Sequence, residues 1–444
     1  MRIAIAGAGE VGTHLAKLLS RENMDICLLD GNAEHLGDLE ANYDLMTRVG
    51  SPTSIHDIQS LGIKDVDLFI AVTPSESKNI VSCLIANQLG AKRTLARVDN
   101  YEYLLLDNRH LFDNMGLNHI IYPEVLAANE IEESLRTNWM RYHISLCQGA
   151  LELCVVKVRD GAEIIGQRFD SGFYSHGRYR IVLIKRDNRT LFPTGEDAVQ
   201  DGDMVYAICT KEEMEFLRTQ FGKPTRDIRR VMFYGGTRMT QKAVQSIPGD
   251  IEVKILEADR EKCLQLSEKV SNALIIHADG SSMDDLIDEG IQDMDAFVAV
   301  TDSSEANIFA CLTAKRFGVI KTIADVENID YIQMAERLDI GTVLNKKTIT
   351  ASYIYQMLLN ASVLNVRNLT SADAEIVELV ATEGSRITRS KIRDISLPGE
   401  VIIGGLVRAG EGLLVNGDTK IIPDDQVIVL CKSHNIQELE RFFK

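Results

Sequence analysis

No stretch of about 18 consecutive apolar residues occurs in the 444-residue chain, so the sequence offers no candidate for a membrane-spanning helix. Met1-Arg2 leads directly into an apolar segment, unlike a signal peptide. We therefore expect a soluble, cytoplasmic protein. Basic residues are too few for a nucleic-acid surface, since 48 Lys and Arg against 65 Asp and Glu give a net charge of −17. No nucleic-acid partner is predicted.

Pairs of metal-ligating residues at short spacing are also missing. The eight cysteines form no Cys-x-x-Cys pair, and the nine histidines form no His-x-His or His-x-x-x-His set. Because most of the cysteines lie in apolar segments, we expect reduced core residues. A metal site would need ligands from distant parts of the chain, so no metal ligands are predicted.

The most informative segment is the N-terminus, where an apolar run at residues 3–6 is followed by Gly7-Ala8-Gly9-Glu10-Val11-Gly12. This pattern is typical of a buried strand, a glycine-rich turn and a helix. The first glycine permits the tight turn, the second lets a pyrophosphate approach the backbone, and the third lets the helix pack on the strand. A phosphate would lie on the free amides at the start of that helix.

A second predicted strand, residues 26–29, ends in Asp30. An acidic residue there accepts hydrogen bonds from ribose hydroxyls and repels a 2′-phosphate. The predicted ligand is therefore NAD(H) or another adenine nucleotide with a free ribose, rather than NADP. The alternative, a turn with only a structural role, is disfavoured because strand, glycines, helix, strand and acid occur in the expected order.

The chain contains an internal duplication. A shift of 228 positions aligns residues 3–103 with 231–331 almost without gaps, so that Asn79 matches Asn307 and Thr73 matches Thr301. A shift of 222 aligns the later strand-rich segments, and Asp203 then matches Asp425. A repeat of this length predicts a tandem architecture.

Within each copy, strand and helix patterns alternate and then give way to short strand-rich runs. In the first copy the strands are expected near 3–6, 26–29, 45–49, 68–72, 94–98 and 118–121, with helices near 12–20, 33–41, 54–60, 77–89 and 101–108 and a connecting helix at 124–138. We predict an α/β fold with two Rossmann-like, doubly wound parallel-sheet lobes, each followed by a smaller α+β lobe. The predicted boundaries are 1–138, 139–223, 229–364 and 365–444. A helix from 349 to 364, with apolar residues at helical spacing, is expected either to pack in the core or to form an interface between domains.

The second glycine turn has diverged. Its sequence includes Gly235-Gly236-Thr237, and threonines stand where Gly9 and Gly12 occur in the first copy. A Cβ at the second glycine position crowds a pyrophosphate and therefore disfavours dinucleotide binding there. Glu257 nevertheless takes the ribose position, Asp279 replaces Ser51, and Thr301 repeats Thr73. The second turn could hold a smaller nucleotide or be retained for packing only.

The glycine turn, the strand ending in Thr73 with the following Ser75-Glu-Ser-Lys-Asn79, and the Pro423-Asp-Asp-Gln-Val427 segment together resemble the RCK (KTN) regulatory domains of potassium transport. By the pattern of that family, the first nucleotide site would be lined by Gly7, Gly9, Glu10, Val11, Gly12, Asp30, Ser51, Thr73 and Arg97. The second would use Gly235, Gly236, Glu257, Asp279 and Thr301.

The resemblance implies a regulatory subunit that binds NAD(H) or ATP/ADP. It further implies a homo-oligomer, a dimer or a tetramer ring, which gates a membrane potassium channel subunit of the TrkH type from the inner face of the membrane. The alternative function is an NAD-dependent oxidoreductase that uses the same glycine turn. Such an enzyme needs a His or Lys acid–base beside the nicotinamide. No histidine has an evident orienting partner in the sequence, so no catalytic residue is predicted.

Overall fold

The structure, a computed structural model, describes residues 1–20, 24–187, 189–224, 226–358, 363–369, 372–432 and 435–444. The chain divides into two compact units. The first contains Met1–Ala127 and Asn345–Leu358, and the second contains Ala128–Leu344 and the described residues after Leu358.

The first unit is built on a six-stranded parallel sheet. Its strands are β1 (Arg2–Ala6), β2 (Asp25–Asp30), β3 (Met46–Val49), β4 (Leu68–Ala71), β5 (Thr94–Arg97) and β6 (His119–Ile121). The helices are α1 (Glu10–Leu19), α2 (Ala33–Asn42), α3 (Ile55–Ser60), α4 (Glu76–Leu89) and α5 (Leu106–Asn114), and α6 (Pro123–Arg136) begins in the first unit and continues into the second. The strand order β3-β2-β1-β4-β5-β6 reverses direction between β1 and β4, where ligands bind in doubly wound sheets. The predicted Rossmann-like fold is confirmed.

A strand-rich lobe follows in the second unit. It contains β7 (Tyr142–Leu146), β8 (Leu151–Lys157), β9 (Tyr179–Arg186), β10 (Arg189–Leu191), β11 (Met204–Cys209) and α7 (Met214–Gln220). The five strands form an antiparallel sheet in the order β10-β9-β11-β8-β7.

The second Rossmann-like lobe repeats the first. Its strands are β12 (Arg230–Tyr234), β13 (Glu252–Glu257), β14 (Leu274–His277), β15 (Ala296–Ala299), β16 (Lys321–Asp325) and β17 (Thr342–Leu344). Its helices are α8 (Arg238–Ser246), α9 (Arg260–Lys269), α10 (Met283–Asp288), α11 (Ser304–Arg316) and α12 (Ile329–Arg337), and α13 (Lys346–Leu358) follows in the chain. The sheet is parallel, in the order β14-β13-β12-β15-β16-β17.

The last lobe repeats the strand-rich architecture. It contains β18 (Val363–Leu369), β19 (Ala374–Val380), β20 (Val401–Arg408), β21 (Glu411–Leu414), β22 (Gln426–Cys431) and α14 (Ile436–Phe443), with the sheet order β18-β19-β22-β20-β21. The two antiparallel sheets share one core, in which Leu153 and Ile208 of the first pack with Ile376, Val407 and Leu430 of the second. Burial of this apolar area stabilises the pairing of the two lobes.

Two predicted helices differ from the structure. The helix expected over 349–364 ends at Leu358, residues 359–362 lie outside the described part, and Leu364 belongs to β18. The helix expected over 101–108 is a short 3-10 turn, Tyr101–Leu104, followed by α5, which continues to Asn114. In the part of the chain that the structure describes, no helix is both long and apolar enough to cross a bilayer.

Candidate nucleotide site

The three glycines of the first turn meet three different constraints. Gly7 has φ +107°, and a Cβ there would lie 2.9 Å from the Thr73 amide nitrogen. A Cβ at Gly12 would lie 1.9 Å from the Gly7 carbonyl oxygen, so only glycine lets α1 approach β1 this closely. Gly9 has an ordinary φ of −64°, and a Cβ there would meet no atom within 4 Å. The space over Gly9 is open.

Gly9 is also the N-cap of α1, and no side chain caps this helix end. The amide of Thr13 donates to the Gly9 carbonyl as the first intrahelical bond, which leaves the amides of the first turn directed away from the helix. Glu10 is exposed and Val11 is buried in this turn. Free amides at the positive end of a helix dipole bind anions. The turn therefore offers a phosphate-sized anion an open, uncapped helix end.

Asp30 braces this turn from the end of β2. Its Oδ2 accepts a hydrogen bond from the Ala8 amide at 2.7 Å, and its Oδ1 accepts one from the Asn32 amide at 2.9 Å. An ionised carboxylate has about four acceptor positions, so two remain for a ligand. Asp30 thus holds the glycine turn in place and still has capacity to accept hydroxyl donors.

Thr73, at the end of β4, is fixed by the buried side chain of Asn79. The Asn79 Oδ1 accepts from the Thr73 amide at 2.9 Å and from its hydroxyl at 2.6 Å, while Nδ2 donates to the carbonyls of Thr73 and Arg97, both at 2.9 Å. One amide therefore joins the ends of β4 and β5. The guanidinium of Arg97 lies 3.4 Å from Asp99.

Ser51, after β3, donates its amide to Asp57 at 2.8 Å, and its hydroxyl lies 3.1 Å from that of Thr53. The structure places the predicted residues of the first site at the carboxyl ends of successive parallel strands. These are the glycine turn after β1, Asp30 on β2, Ser51 after β3, Thr73 after β4 and Arg97 on β5.

The second copy preserves the bonds that build this rim. Gly235 has φ +102°, Glu257 Oε2 accepts from the Gly236 amide at 2.7 Å, and its Oε1 accepts from the Asp259 amide at 2.9 Å. Asn307 joins Thr301 to β16 through the same four bonds, at 2.7 to 3.0 Å. The scaffold of the two rims is the same.

The surface that would face a phosphate differs in the second copy. The Thr237 hydroxyl accepts from the Thr240 amide and so caps α8, and the Thr240 hydroxyl donates to the Gly235 carbonyl. Tyr234, which stands where the first copy has Ala6, is buried. A Cβ at Gly280 would lie 2.3 Å from the Tyr234 ring. In the second copy, the Thr237 side chain therefore stands where the first copy has open space over Gly9.

Other second-site residues are engaged locally. Asp279 Oδ1 accepts from the amide and the hydroxyl of Ser281 at 2.9 and 2.8 Å. Burial, and then the charge of Asp279, raises the pKa of the Tyr234 hydroxyl. Asp325 stands at the position of Arg97, so the charge at the end of this strand is reversed.

Family models match both pairs of lobes. The TrkA-N domain matches residues 3–123 and 231–346, and the TrkA-C domain matches residues 154–222 and 376–444. The chain belongs to the TrkA family. The expected tandem order of the lobes is confirmed.

Relatives with the name Trk system potassium uptake protein TrkA match the whole chain. The protein of Haemophilus influenzae is 30% identical over 454 residues, covering 100% of this chain and 99% of the relative. That of Halomonas elongata is 28% identical over 453 residues, with the same coverage. The TrkA homolog of Archaeoglobus fulgidus is 29% identical over 446 residues and is covered completely.

Solved structures share the fold at low identity. The crystal structure of the GsuK RCK domain superposes with a TM-score of 0.59 at 15% identity, covering 100% of this chain and 94% of that one. The GsuK channel bound to NAD gives 0.57 at 15% identity, with 100% and 78% covered. The family resemblance stated from the sequence is therefore confirmed for the fold.

One contact beside the first site was not predicted. Helix α13 packs on α1 within the first unit, and Lys347 forms an ion pair with Glu10 of the glycine turn. Lys346 lies 3.6 Å from Glu124 at the start of α6. For Lys346 and Glu124, the sequence carries a signal in the opposite charges at the starts of α13 and α6. For Lys347 and Glu10, only the fold brings the two residues together.

Proposed function

We propose that this chain is the nucleotide-binding regulatory subunit of a Trk potassium uptake system. The observation that carries the proposal is the open, uncapped amide turn at Gly9 with the Asp30 carboxylate beside it. The ligand is NAD(H) or ATP/ADP, with its phosphates on the amides of Glu10 and Val11. Its ribose hydroxyls donate to Asp30, which repels the 2′-phosphate of NADP. The known relatives are potassium uptake proteins, and one structural neighbour is a channel bound to NAD.

Membership of the TrkA family favours a regulatory subunit over the NAD-dependent oxidoreductase that the sequence left as the alternative. The side chains at the rim also support binding without chemistry, because they hold the backbone: Asp30 binds two amides and Thr73 is fixed by Asn79. The partner we propose is a membrane potassium channel subunit of the TrkH type. The regulatory subunit would act as a homo-oligomer, a dimer or a tetramer ring, peripheral on the cytoplasmic face of the membrane.

The direct test is a calorimetric titration of the purified chain with NADH, NAD, NADP, ATP and ADP. Asp30→Ala is the test variant and Glu257→Ala is its matched control, since each removes a carboxylate that accepts two backbone amides. Binding should be lost in Asp30→Ala, retained in Glu257→Ala and weaker for NADP than for NAD. Retained binding in Asp30→Ala, or consumption of NADH during turnover of a substrate, would overturn the proposal.

Gating requires that the ligand bind two conformations with different affinity. The connection we propose is α13, which packs beside the glycine turn in the first unit and follows β17 of the second unit directly in the chain. A ligand phosphate next to Glu10 changes the electrostatic environment of the ion pair with Lys347. A coupling of a few kcal/mol is enough for such a switch.

This connection is tested with Lys347→Gln in a reconstituted potassium uptake system. Nucleotide affinity of the isolated subunit should change little, whereas the nucleotide dependence of potassium flux should be lost. Lys242→Gln on α8 of the second copy is a suitable control. Unchanged nucleotide control of flux in Lys347→Gln would exclude this route.

A further inference from the structure

Five cations of the second unit, which we call the basic cluster, lie near enough to one another for their charges to interact. Its members are Arg141, Lys157, Arg159, Lys223 and Lys315. Arg141 precedes β7, Lys157 ends β8, Arg159 follows β8, Lys223 follows α7 and Lys315 lies near the end of α11. The cluster therefore combines residues of the first strand-rich lobe with one residue of the second Rossmann-like lobe.

One carboxylate, Asp339, lies in contact with three of these cations. It follows α12 and has the left-handed φ of +56°. It forms ion pairs with both arginines, Arg141 and Arg159, and its Oδ2 lies 3.0 Å from the Lys315 ammonium. Asp339 thus occupies a position where three donors converge, which is the arrangement that a bound anion would require.

The carboxylates around the basic cluster do not balance its charge. Asp203 is held by Arg186 at 2.8 Å, and Glu336 by Lys185 at 2.7 Å. Asp339 and the neighbouring Asp201 remain against five cations, so about three positive charges are uncompensated. Among the described residues, no ion-pair partner of Lys157 or Lys223 lies within 4 Å.

The cations are close enough to repel one another. Burial, followed by the charges of Arg141 and Arg159, lowers the pKa of Lys223 and of Lys315 to about 8. Burial and the same kind of repulsion lower the pKa of Lys157 and of Arg159. In a chain of net charge −17, this concentration of positive charge is not explained by pairing inside the fold.

The members of the basic cluster differ in their exposure to solvent. The side chain of Arg159 is 47% exposed and that of Lys315 is 32% exposed, whereas Arg141 is 17% exposed. Arg159 and Lys315 therefore reach solvent, whereas Arg141 is largely buried. Arginine presents a planar fork that matches phosphate oxygens, and lysine adds a point charge.

We propose that the basic cluster is a binding site for a phosphate-bearing anion of the pyrophosphate class, separate from both glycine turns. Arg141 and Arg159 supply forked donors to the phosphate oxygens, and Lys223 and Lys157 supply the charge that Asp339 leaves uncompensated. Because Lys315 lies on the Rossmann-like lobe and the other four cations on the strand-rich lobe, the bound anion would link these two lobes.

The probe is inorganic pyrophosphate, titrated by calorimetry into the full chain at about 0.15 M salt, where weak surface attraction is screened. Gly9→Asp serves as the background, because it places a carboxylate over the first glycine turn and removes that competing site. One pyrophosphate per chain should bind. Titrations at pH 8 in two buffers of different ionisation heat should show proton uptake, since Lys223 and Lys315 regain protons beside an anion.

Two variants should change the affinity for pyrophosphate in opposite directions. Arg159→Gln with Lys223→Gln should weaken pyrophosphate binding by about tenfold or more. Asp339→Asn should strengthen it, because the competing carboxylate is removed and Asn tolerates the left-handed conformation. Lys262→Gln, which removes one positive charge at an exposed position of α9, should have no effect. Absence of binding in the Gly9→Asp background, or equal affinity in Asp339→Asn and the double variant, would overturn the proposal. This outcome is independent of nucleotide binding at the first turn.

Discussion

Gly9 and Gly12 of the same turn should respond to substitution in opposite ways. A side chain at Gly9 meets no atom within 4 Å, and its φ of −64° suits any residue. Aspartate there adds an N-cap to α1, which stabilises a helix by a few tenths of a kcal/mol relative to glycine. It also places a negative charge where the ligand phosphate would lie. Gly9→Asp should therefore fold normally and lose nucleotide binding.

Gly12→Ala should instead lower the stability of the fold. Its Cβ would lie 1.9 Å from the Gly7 carbonyl oxygen and 3.3 Å from Val72 Cγ2, so α1 must move away from β1 by more than an ångström. The helix is anchored by Leu15 and Leu19, which are fully buried. Overpacking of this kind costs about 1–3 kcal/mol. The melting temperature of this lobe should fall by several degrees.

Thermal unfolding and calorimetric titration of both variants, measured side by side, separate the two effects. The expected pattern is normal stability without binding for Gly9→Asp, and lowered stability for Gly12→Ala. Binding of NADH or ATP by Gly9→Asp as tightly as by the unmodified chain would contradict a phosphate position over Gly9. Equal stability of Gly12→Ala and Gly9→Asp would contradict the close approach of α1 to β1 as the reason for glycine at position 12.

Three further predictions concern stability. Asn79→Ala leaves the buried Thr73 amide without its acceptor and should cost about 3 kcal/mol in urea unfolding. Asp203→Ala leaves Arg186 without its bidentate partner and should cost about 3 kcal/mol by the same measurement, whereas an exposed control such as Lys262→Ala should change little. His143 has a raised pKa because, although burial lowers it, bonds to two glutamates outweigh the burial. Its contribution should be complete below pH ~6.5 and lost as pH rises through the folded pKa, and His143→Gln should flatten this dependence in unfolding measured across that range.

Local signals made much of the fold predictable. Strand β1, predicted at residues 3–6, spans Arg2–Ala6, and β2, predicted at 26–29, spans Asp25–Asp30. These strands are apolar runs bounded by glycine or an acidic residue, so their ends are marked in the sequence. The duplication then carried the same assignment to the second half.

Features that depend on long-range packing could not be predicted. The apolar pattern continues past Leu358, and periodicity alone does not distinguish the end of a helix from the strand that begins at Val363. The ion pair of Lys347 with Glu10 joins the start of α13 to the first glycine turn, and these segments are far apart in the sequence. The convergence of Arg141, Arg159 and Lys315 on Asp339 likewise has no pattern of spacing.

The two copies diverge on the ligand-facing surface while the supporting bonds remain. Asn79 and Asn307 make the same four bonds, and a carboxylate braces each glycine turn. Those bonds satisfy backbone groups at the ends of buried strands, so their loss would destabilise the sheet whether or not a ligand binds. The open backbone over Gly9 does not stabilise the fold in this way. In the second copy a threonine at the equivalent position caps its helix, so glycine is not needed there for folding. We therefore infer that the first turn remains open because a ligand requires it.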